Sequence, residues 1–436
     1  MSGTLFLKEC RKTVKSIIFL IYIAVLICFM IAQYIPSVEK INKPQPGQAN
    51  YGMKYEEVPK IIMPKAVKEL YNEFAANSYI AYPLGFYKNV RLSTEEQAEI
   101  AQILSKLTGT SSNNFSNLAD NKSAELKINT ENMTKDKNGN ISVTLPDNAN
   151  KTDIPDNPDV TIDKELTYEQ FRSLMKKADT LIGGGSKYSD TYLIRFGEIP
   201  KTYEDAIAEY NDIVGRDNIT GAYARLFCDY IGIALAIFPV FIAVAFIMRD
   251  RRSGMQDLIY TRKKSSFTIV LTRYIAMVAM MFLPVLLMAL YATIQTADLH
   301  TGYQLDYLVF IKYSFGWLLP TLMVSISVGV FLTELTNTPV AIIVQGIWWF
   351  ICTNTGIRHI DGGYGADLII RHNKVGNTQV YLDNINTLLI NRIGYAIFAV
   401  MLIAASIGIY EIKRRGRFAN YRFRKIFAHL KNKHKA

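Results

Sequence analysis

Six stretches of this chain run for 18 residues or more without a formal charge: Ser16–Val38, Tyr230–Met248, Tyr274–Ala297, Tyr313–Thr333, Leu335–Ile357 and Ile393–Tyr410. At a helical rise of about 1.5 Å per residue, each can cross a hydrocarbon core of about 30 Å. Only a structure that satisfies its own backbone hydrogen bonds survives there, so the stretches are expected to be helices. The expected fold class is mainly α: a polytopic six-helix transmembrane bundle. Glu334 alone separates the fourth and fifth stretches, which read as a tight hairpin. Pro239, Pro284, Pro320 and Pro339 fall inside the spans, where neighbouring helices can take up the freed carbonyls.

Lysine and arginine orient the bundle, because short basic segments stay on the cytoplasmic side. Lys8, Arg11, Lys12 and Lys15 precede the first span. Arg249, Arg251, Arg252, Arg262, Lys263 and Lys264 follow the second, and ten more basic residues follow Tyr410. Six crossings put these three segments on one side. Both termini are therefore expected in the cytoplasm and residues 39–229 outside. The three segments hold 20 basic residues against Glu9, Asp250, Asp257 and Glu411, while the whole chain carries only +11. The charge thus belongs to segments lying beside anionic lipid, and no nucleic-acid partner is implied.

Residues 1–15 form an expected interfacial helix. Phe6, Leu7, Cys10 and Val14 share one face, and Phe6, Lys8, Arg11, Lys12 and Lys15 meet the membrane surface. The tail 411–436 repeats the pattern, with Phe423, Ile426, Phe427 and Leu430 among basic residues. The apolar core of the first span exceeds that of a signal peptide and no A-x-A-like site follows it, so the span is expected to be retained. Cys10, Cys28, Cys228 and Cys352 lie at the cytoplasmic end or in spans, which leaves no disulfide scaffold outside and suits a bacterial cell membrane.

The external segment 39–229 reads as a helix-rich α+β domain. Ser93-Thr-Glu-Glu96 and Thr167-Tyr-Glu-Gln170 are capping boxes that open helices ending at Gly109 and at Gly183-Gly184-Gly185. Val67, Leu70, Tyr71 and Phe74 mark a helix after Pro64, and another is expected over Tyr203–Val214. Between them, residues 108–163 are a polar, partly disordered insertion in which Asn138-Gly139 predicts a hairpin turn.

Catalytic motifs are missing. Gly183-Gly-Gly-Ser-Lys187 has the wrong spacing for a phosphate loop. Asp136-Lys-Asn-Gly-Asn140 begins like a calcium loop, but Ile141 stands where glycine is needed and Asp147 where glutamate is. His359, Asp361 and His372 share an outer loop (358–392) without metal-ligand spacing, and they read as solvated. No G-x-S-x-G elbow or H-E-x-x-H helix occurs. Carboxylates are nearly absent from the spans, which argues against a proton-relay pump; Asp229 and Glu334 sit at span ends where they can reach water. Arg273 is shallow enough to snorkel. Gln295 and Gln345 line a path or hydrogen-bond between helices, and Trp348 and Trp349 suit an interface belt.

RDRRSGMQDLIYTRKK, residues 249–264, is more than a connector. Met255, Leu258 and Ile259 at i, i+3, i+4 start one apolar helical face that needs something to pack against. Together with SSFTIVLTRYIA, this run resembles the charged–Gly–apolar-pair loop entering the third span of ABC-2-type ABC transporter permease subunits. The order of parts around it is similar too, over about half the chain. The large domain after span one departs from the commoner short loops, and it leaves the substrate open.

The resemblance implies that residues 249–264 are a coupling helix, with Gly254, Met255, Gln256, Leu258, Ile259 and Tyr260 docking on a separate ABC ATPase. It further implies a second permease copy or paralogue, an export path between the two, and ATP and Mg on the partner alone, so this chain is expected to hold no cofactor or metal and not to be an enzyme itself. A hydrophobic or amphipathic cargo (peptide, lipid or drug) fits such a path. The alternatives are a membrane-anchored receptor or scaffold whose external domain binds a ligand, and a membrane-embedded enzyme, against which the lack of clustered His, Asp or Glu counts.

Overall fold

The computed structural model describes residues 3–83, 87–110, 133–135, 141–143, 161–261, 263–358 and 362–415. In chain order these form α1 (Gly3–Val14), α2 (Ile17–Phe29), β1 (Met53–Tyr55), α3 (Pro59–Ala76), β2 (Tyr79–Ala81), β3 (Lys88–Val90), α4 (Thr94–Thr108), β4 (Met133–Lys135) and β5 (Ile141–Val143). There follow α5 (Tyr168–Ile182), β6 (Glu198–Pro200), α6 (Tyr203–Asn211), α7 (Thr220–Leu235), α8 (Phe238–Arg252), α9 (Gln256–Tyr260) and α10 (Ser266–Leu299). The last are α11 (Val309–Tyr313), α12 (Leu319–Thr336), α13 (Val340–Arg358), α14 (Thr378–Asp383) and α15 (Ile385–Arg414). Two compact units result, Met1–Pro46 with Tyr203–Ala436, and Gly47–Thr202.

The first unit is a helix bundle. Among the described residues, five of its helical runs are long and apolar enough to cross a membrane: Ile17–Ser37, Thr220–Arg252, Ser266–Leu299, Val309–Thr336 and Ile385–Arg414. A sixth apolar helix, α13, is shorter, with its apolar stretch over Val340–Asn354. Asn337, in the left-handed conformation, ends α12 and turns the chain into α13, which gives the expected hairpin. α12 packs on α8 and α15, and α10 packs on α1, α12 and α15.

Two helical runs extend beyond the uncharged stretches. The run that holds Tyr230–Met248 begins at Thr220, ten residues before Tyr230, and carries Arg225 and Asp229 inside α7. The helix that holds Ile393–Tyr410 begins at Ile385, and its Arg392 is likewise buried. Of the four prolines, only Pro284 sits inside a helix; Pro239 and Pro320 stand in first turns, and Pro339 precedes α13.

In the second unit α3, α4 and α5 share a core built on Ile62, Leu70, Phe74, Leu104, Phe171 and Met175. Both capping boxes are formed: the Ser93 and Thr167 hydroxyls accept from Glu96 and Gln170 amides, whose side chains accept in return. Gly109 and Gly183 end those helices with positive φ. α3 starts at Pro59, earlier than expected, and carries Pro64 in its second turn. β1 pairs antiparallel with β6, β2 with β3, and β4 with β5. The last pair sets Met133 opposite Val143 and Lys135 opposite Ile141. That register agrees with a hairpin, although the Asn138-Gly139 turn and most of the insertion lie outside the described residues.

Close helix packing in the bundle depends on Gly329 of α12. A Cβ at that position would stand 2.7 Å from the Ala243 Cβ of α8 and 3.3 Å from the Val240 carbonyl. Small residues let helix backbones approach this nearly. Gly329→Val should cost about 1–3 kcal/mol by forcing the helices apart, read as a lower melting temperature in detergent. Gly346→Ala, where a Cβ meets nothing within 4 Å, should leave it unchanged.

Candidate functional site

The charged ends of α1, α8, α10, α12 and α15 meet around α9. Gly254, at φ +66°, reverses the chain after α8, a conformation that glycine adopts without strain. Five residues of α9 follow, and the expected apolar face is split by its surroundings. Met255 and Leu258 point outward, 45% and 61% exposed. Ile259 and Tyr260 turn inward, and the Tyr260 ring meets Tyr410 of α15 edge-on at 5.3 Å between centroids. Gln256 opens the helix.

Ion pairs bracket this short helix. Arg273 does not snorkel: its Nη2 lies 2.5 Å from Asp250 Oδ2 and its Nε 3.8 Å from Glu9. Glu9 is itself buried and paired with Lys12 at 2.9 Å. From α15, Arg414 donates to the carbonyls of Tyr260 and Lys264 at 2.9 and 2.7 Å. Lys413 pairs with Glu334 at 3.0 Å and with Asn337, so Glu334 does not reach out to water. A charge taken out of water needs such partners, since the Coulomb gain in low dielectric must offset desolvation.

The two long faces of the amphipathic first helix meet different surroundings. Glu9 and Thr13 of α1 are buried against the bundle, whereas Leu7 and Val14 are exposed beside Lys8, Arg11 and Lys15; Phe6 and Lys12 are half-buried. Phe423 and Phe427 lie outside the described residues.

Gln345, Trp348 and Trp349 serve helix packing. Pro239 in the first turn of α8 breaks the span at Ala236–Ile237, and the amides there take 3₁₀-type partners. Ile237 donates to Ala234, and Val240 donates to Ile237. The carbonyls of Ile233 and Ala236 are thereby left over. Trp349 Nε1 donates to Ile233 O at 2.9 Å, and Gln345 Nε2 donates to Ala236 O at 2.5 Å. Trp348 packs on Tyr395 and Phe398 of α15. Gln295 Oε1 is buried and has no hydrogen-bond partner among the described residues.

A second buried network, at the start of α7, holds residues that sequence reasoning passed over. Arg225, fully buried, forms a bidentate pair with Asp217 at 2.6 and 2.5 Å, and the Thr378 hydroxyl donates to the same carboxylate at 2.6 Å. Arg225 also lies 4.9 Å from the centre of the Tyr381 ring. Asp229 is likewise buried instead of reaching water. It accepts the backbone amides of His372 and Asn373 at 2.5–2.9 Å, with Arg371 at 3.9 Å. The four-residue spacing of Arg225 and Asp229, one helical face, was the available signal.

His372 is therefore a buried brace and not a solvated loop residue. Its Nε2 lies 2.8 Å from Gly376 O, an acceptor, so the proton sits on Nε2 and Nδ1 accepts from the Tyr364 hydroxyl at 2.6 Å. His359 and Asp361 lie outside the described residues, and no group of three metal-ligating side chains occurs among those described. Comparison with protein-family models, curated proteins and solved structures finds no match for this chain.

Two outcomes test this reading of the network. Arg225→Met strands the Asp217 carboxylate and should cost about 3–5 kcal/mol; adding Asp217→Asn should recover much of the lost melting temperature. The second concerns pH. Burial, with the Arg225 charge adding to it, pushes His372 down to about 4, while Asp217 pulls upward and Lys374 downward. The unfolded ring titrates near 6.5. Between about 6.5 and 4 the unfolded segment takes up a proton that the folded one refuses, so stability falls with pH across that window. Amide exchange over residues 363–376 should accelerate there beyond its intrinsic rate, and His372→Gln should remove the part of that acceleration that the ring contributes.

Proposed function

We propose that this chain is the membrane-spanning permease subunit of an ABC-2-type ABC transporter in a bacterial cell membrane. It crosses the bilayer six times, with α13 as the fifth span. Both termini are cytoplasmic, and the Gly47–Thr202 unit is external. It exports a hydrophobic or amphipathic substrate using ATP hydrolysed by a separate subunit, as a dimer with a second permease.

The observation that carries this reading is the bracket around α9. A five-residue helix with Met255 and Leu258 exposed is held from α15 by Arg414, and the helices around it are joined by Arg273–Asp250 between α10 and α8 and by Lys413–Glu334 between α15 and α12. A partner that grips the two exposed side chains and moves would load four long helices at once. A loose loop would absorb the same push. Substrate would meet the path between two copies, and the external unit would gate or receive it.

Met255→Glu together with Leu258→Glu places two carboxylates where the partner must bury apolar surface. Because both side chains are exposed, the fold should tolerate the change. Co-purification of ATPase activity with the tagged chain from native membranes should fall at least tenfold, with the melting temperature held. Retention of the ATPase at the wild-type level would remove α9 from the interface.

A further inference from the structure

Between α1, the end of α8, α9 and the start of α10 lies an open groove of about 420 Å³. We infer that it binds the phosphate headgroup of an anionic glycerophospholipid from the surrounding bilayer, with the upper acyl chain on its apolar floor.

Lys12, Arg249, Lys264 and Arg273 line the groove against only Glu9 and Asp250. Both carboxylates are already committed: Glu9 to Lys12 and Arg273, Asp250 to Arg273. Arg249 and Lys264 are exposed and have no ion-pair partner among the described residues. Two cations therefore face the groove with nothing to neutralise them. The remaining lining is Leu5, Met255, Ile259 and Ile269, which a free inorganic anion would leave uncovered. An occupant must bring negative charge and apolar surface together.

The chain's own tail cannot be that occupant. Residues 416–436 carry seven more lysines and arginines and no carboxylate side chain, so they repel the groove. Position favours a lipid over a soluble amphiphile. The groove sits at the basic ends of helices long enough to cross a membrane, the depth at which headgroups lie. On α1, which forms one wall, Leu7 and Val14 face outward and continue into the exposed Ile17 and Ile18 of α2. The volume falls within the roughly 300–1,000 Å³ of small-molecule sites. This inference rests on the membrane-spanning reading alone and does not need an ATPase.

The test uses the full chain, purified in detergent without any ATPase, delipidated and titrated with dioleoyl phosphatidylglycerol or dioleoyl phosphatidylcholine. Native mass spectrometry counts bound lipid, and the melting temperature reports stabilisation. Phosphatidylglycerol should bind and stabilise, and phosphatidylcholine should not. Arg249→Ala with Lys264→Ala should weaken phosphatidylglycerol binding by about tenfold or more, at roughly fivefold per cation. Arg249→Lys with Lys264→Arg should retain it, as should a control, Lys176→Ala with Lys177→Ala, which removes two exposed charges from α5 of the second unit. Binding by the alanine pair within twofold of wild type overturns the site. So does equal binding of the two lipids, or stabilisation by inorganic phosphate matching that of phosphatidylglycerol. A positive lipid result with the ATPase still failing to associate would refute only the transporter reading.

Discussion

Arg273 stands in the second turn of α10, and its positive charge has to be matched before the bundle can close over it. Asp250 from α8 and Glu9 from α1 supply the match. One guanidinium therefore fixes three helices, and with them both ends of the turn that carries α9. Lys413 and Arg414 do the same from α15, capturing Glu334 and the carbonyls of Tyr260 and Lys264. In a low-dielectric interior such pairs tolerate little displacement, since a separated charge cannot fall back on water. Both ends of the α9 turn are thereby held in place.

The other end of the bundle follows the same rule with different chemistry. Asp217 and Arg225 neutralise each other, but Asp229 is met chiefly by backbone amides of the loop before α14. A carboxylate that accepts several N–H groups is held as firmly as one facing a cation. Arg392 inverts the arrangement. It is buried among neutral acceptors, the Thr321 hydroxyl and the carbonyls of Trp317, Asp367 and Leu368. Loop and helices are thus joined by capture of main-chain groups, which pins the loop's path and not only its side chains.

Backbone satisfaction also explains the break between α7 and α8. Pro239 has no amide to donate, and the local tightening around Ala236–Ile237 leaves two carbonyls over. Gln345 and Trp349, four residues apart on α13, reach one each. Polar residues in an apolar helix suggest either a path or a contact, and the geometry places these two at a contact.

Much of the architecture was legible in the chain itself. Uncharged length marked the apolar helices of the bundle, Glu334 marked the hairpin, and the capping boxes at Ser93 and Thr167 marked two helices of the second unit to the residue. These signals are local: hydropathy, cap chemistry and turn geometry act within a few positions. Tertiary structure alone decided what became of the charges. Counting charge placed Asp229, Glu334 and Arg273 at water, yet Asp229 and Glu334 are buried with partners 79 to 144 residues away, and half-buried Arg273 pairs with Asp250, 23 residues away, and with Glu9, more than 250 away. The same holds for α9, whose Met255, Leu258 and Ile259 form one face by periodicity, although Met255 and Leu258 are exposed and Ile259 is half-buried beside the groove. Periodicity describes a helix on its own; pairing and burial depend on which helices the fold brings alongside it, and that information is spread over the whole chain.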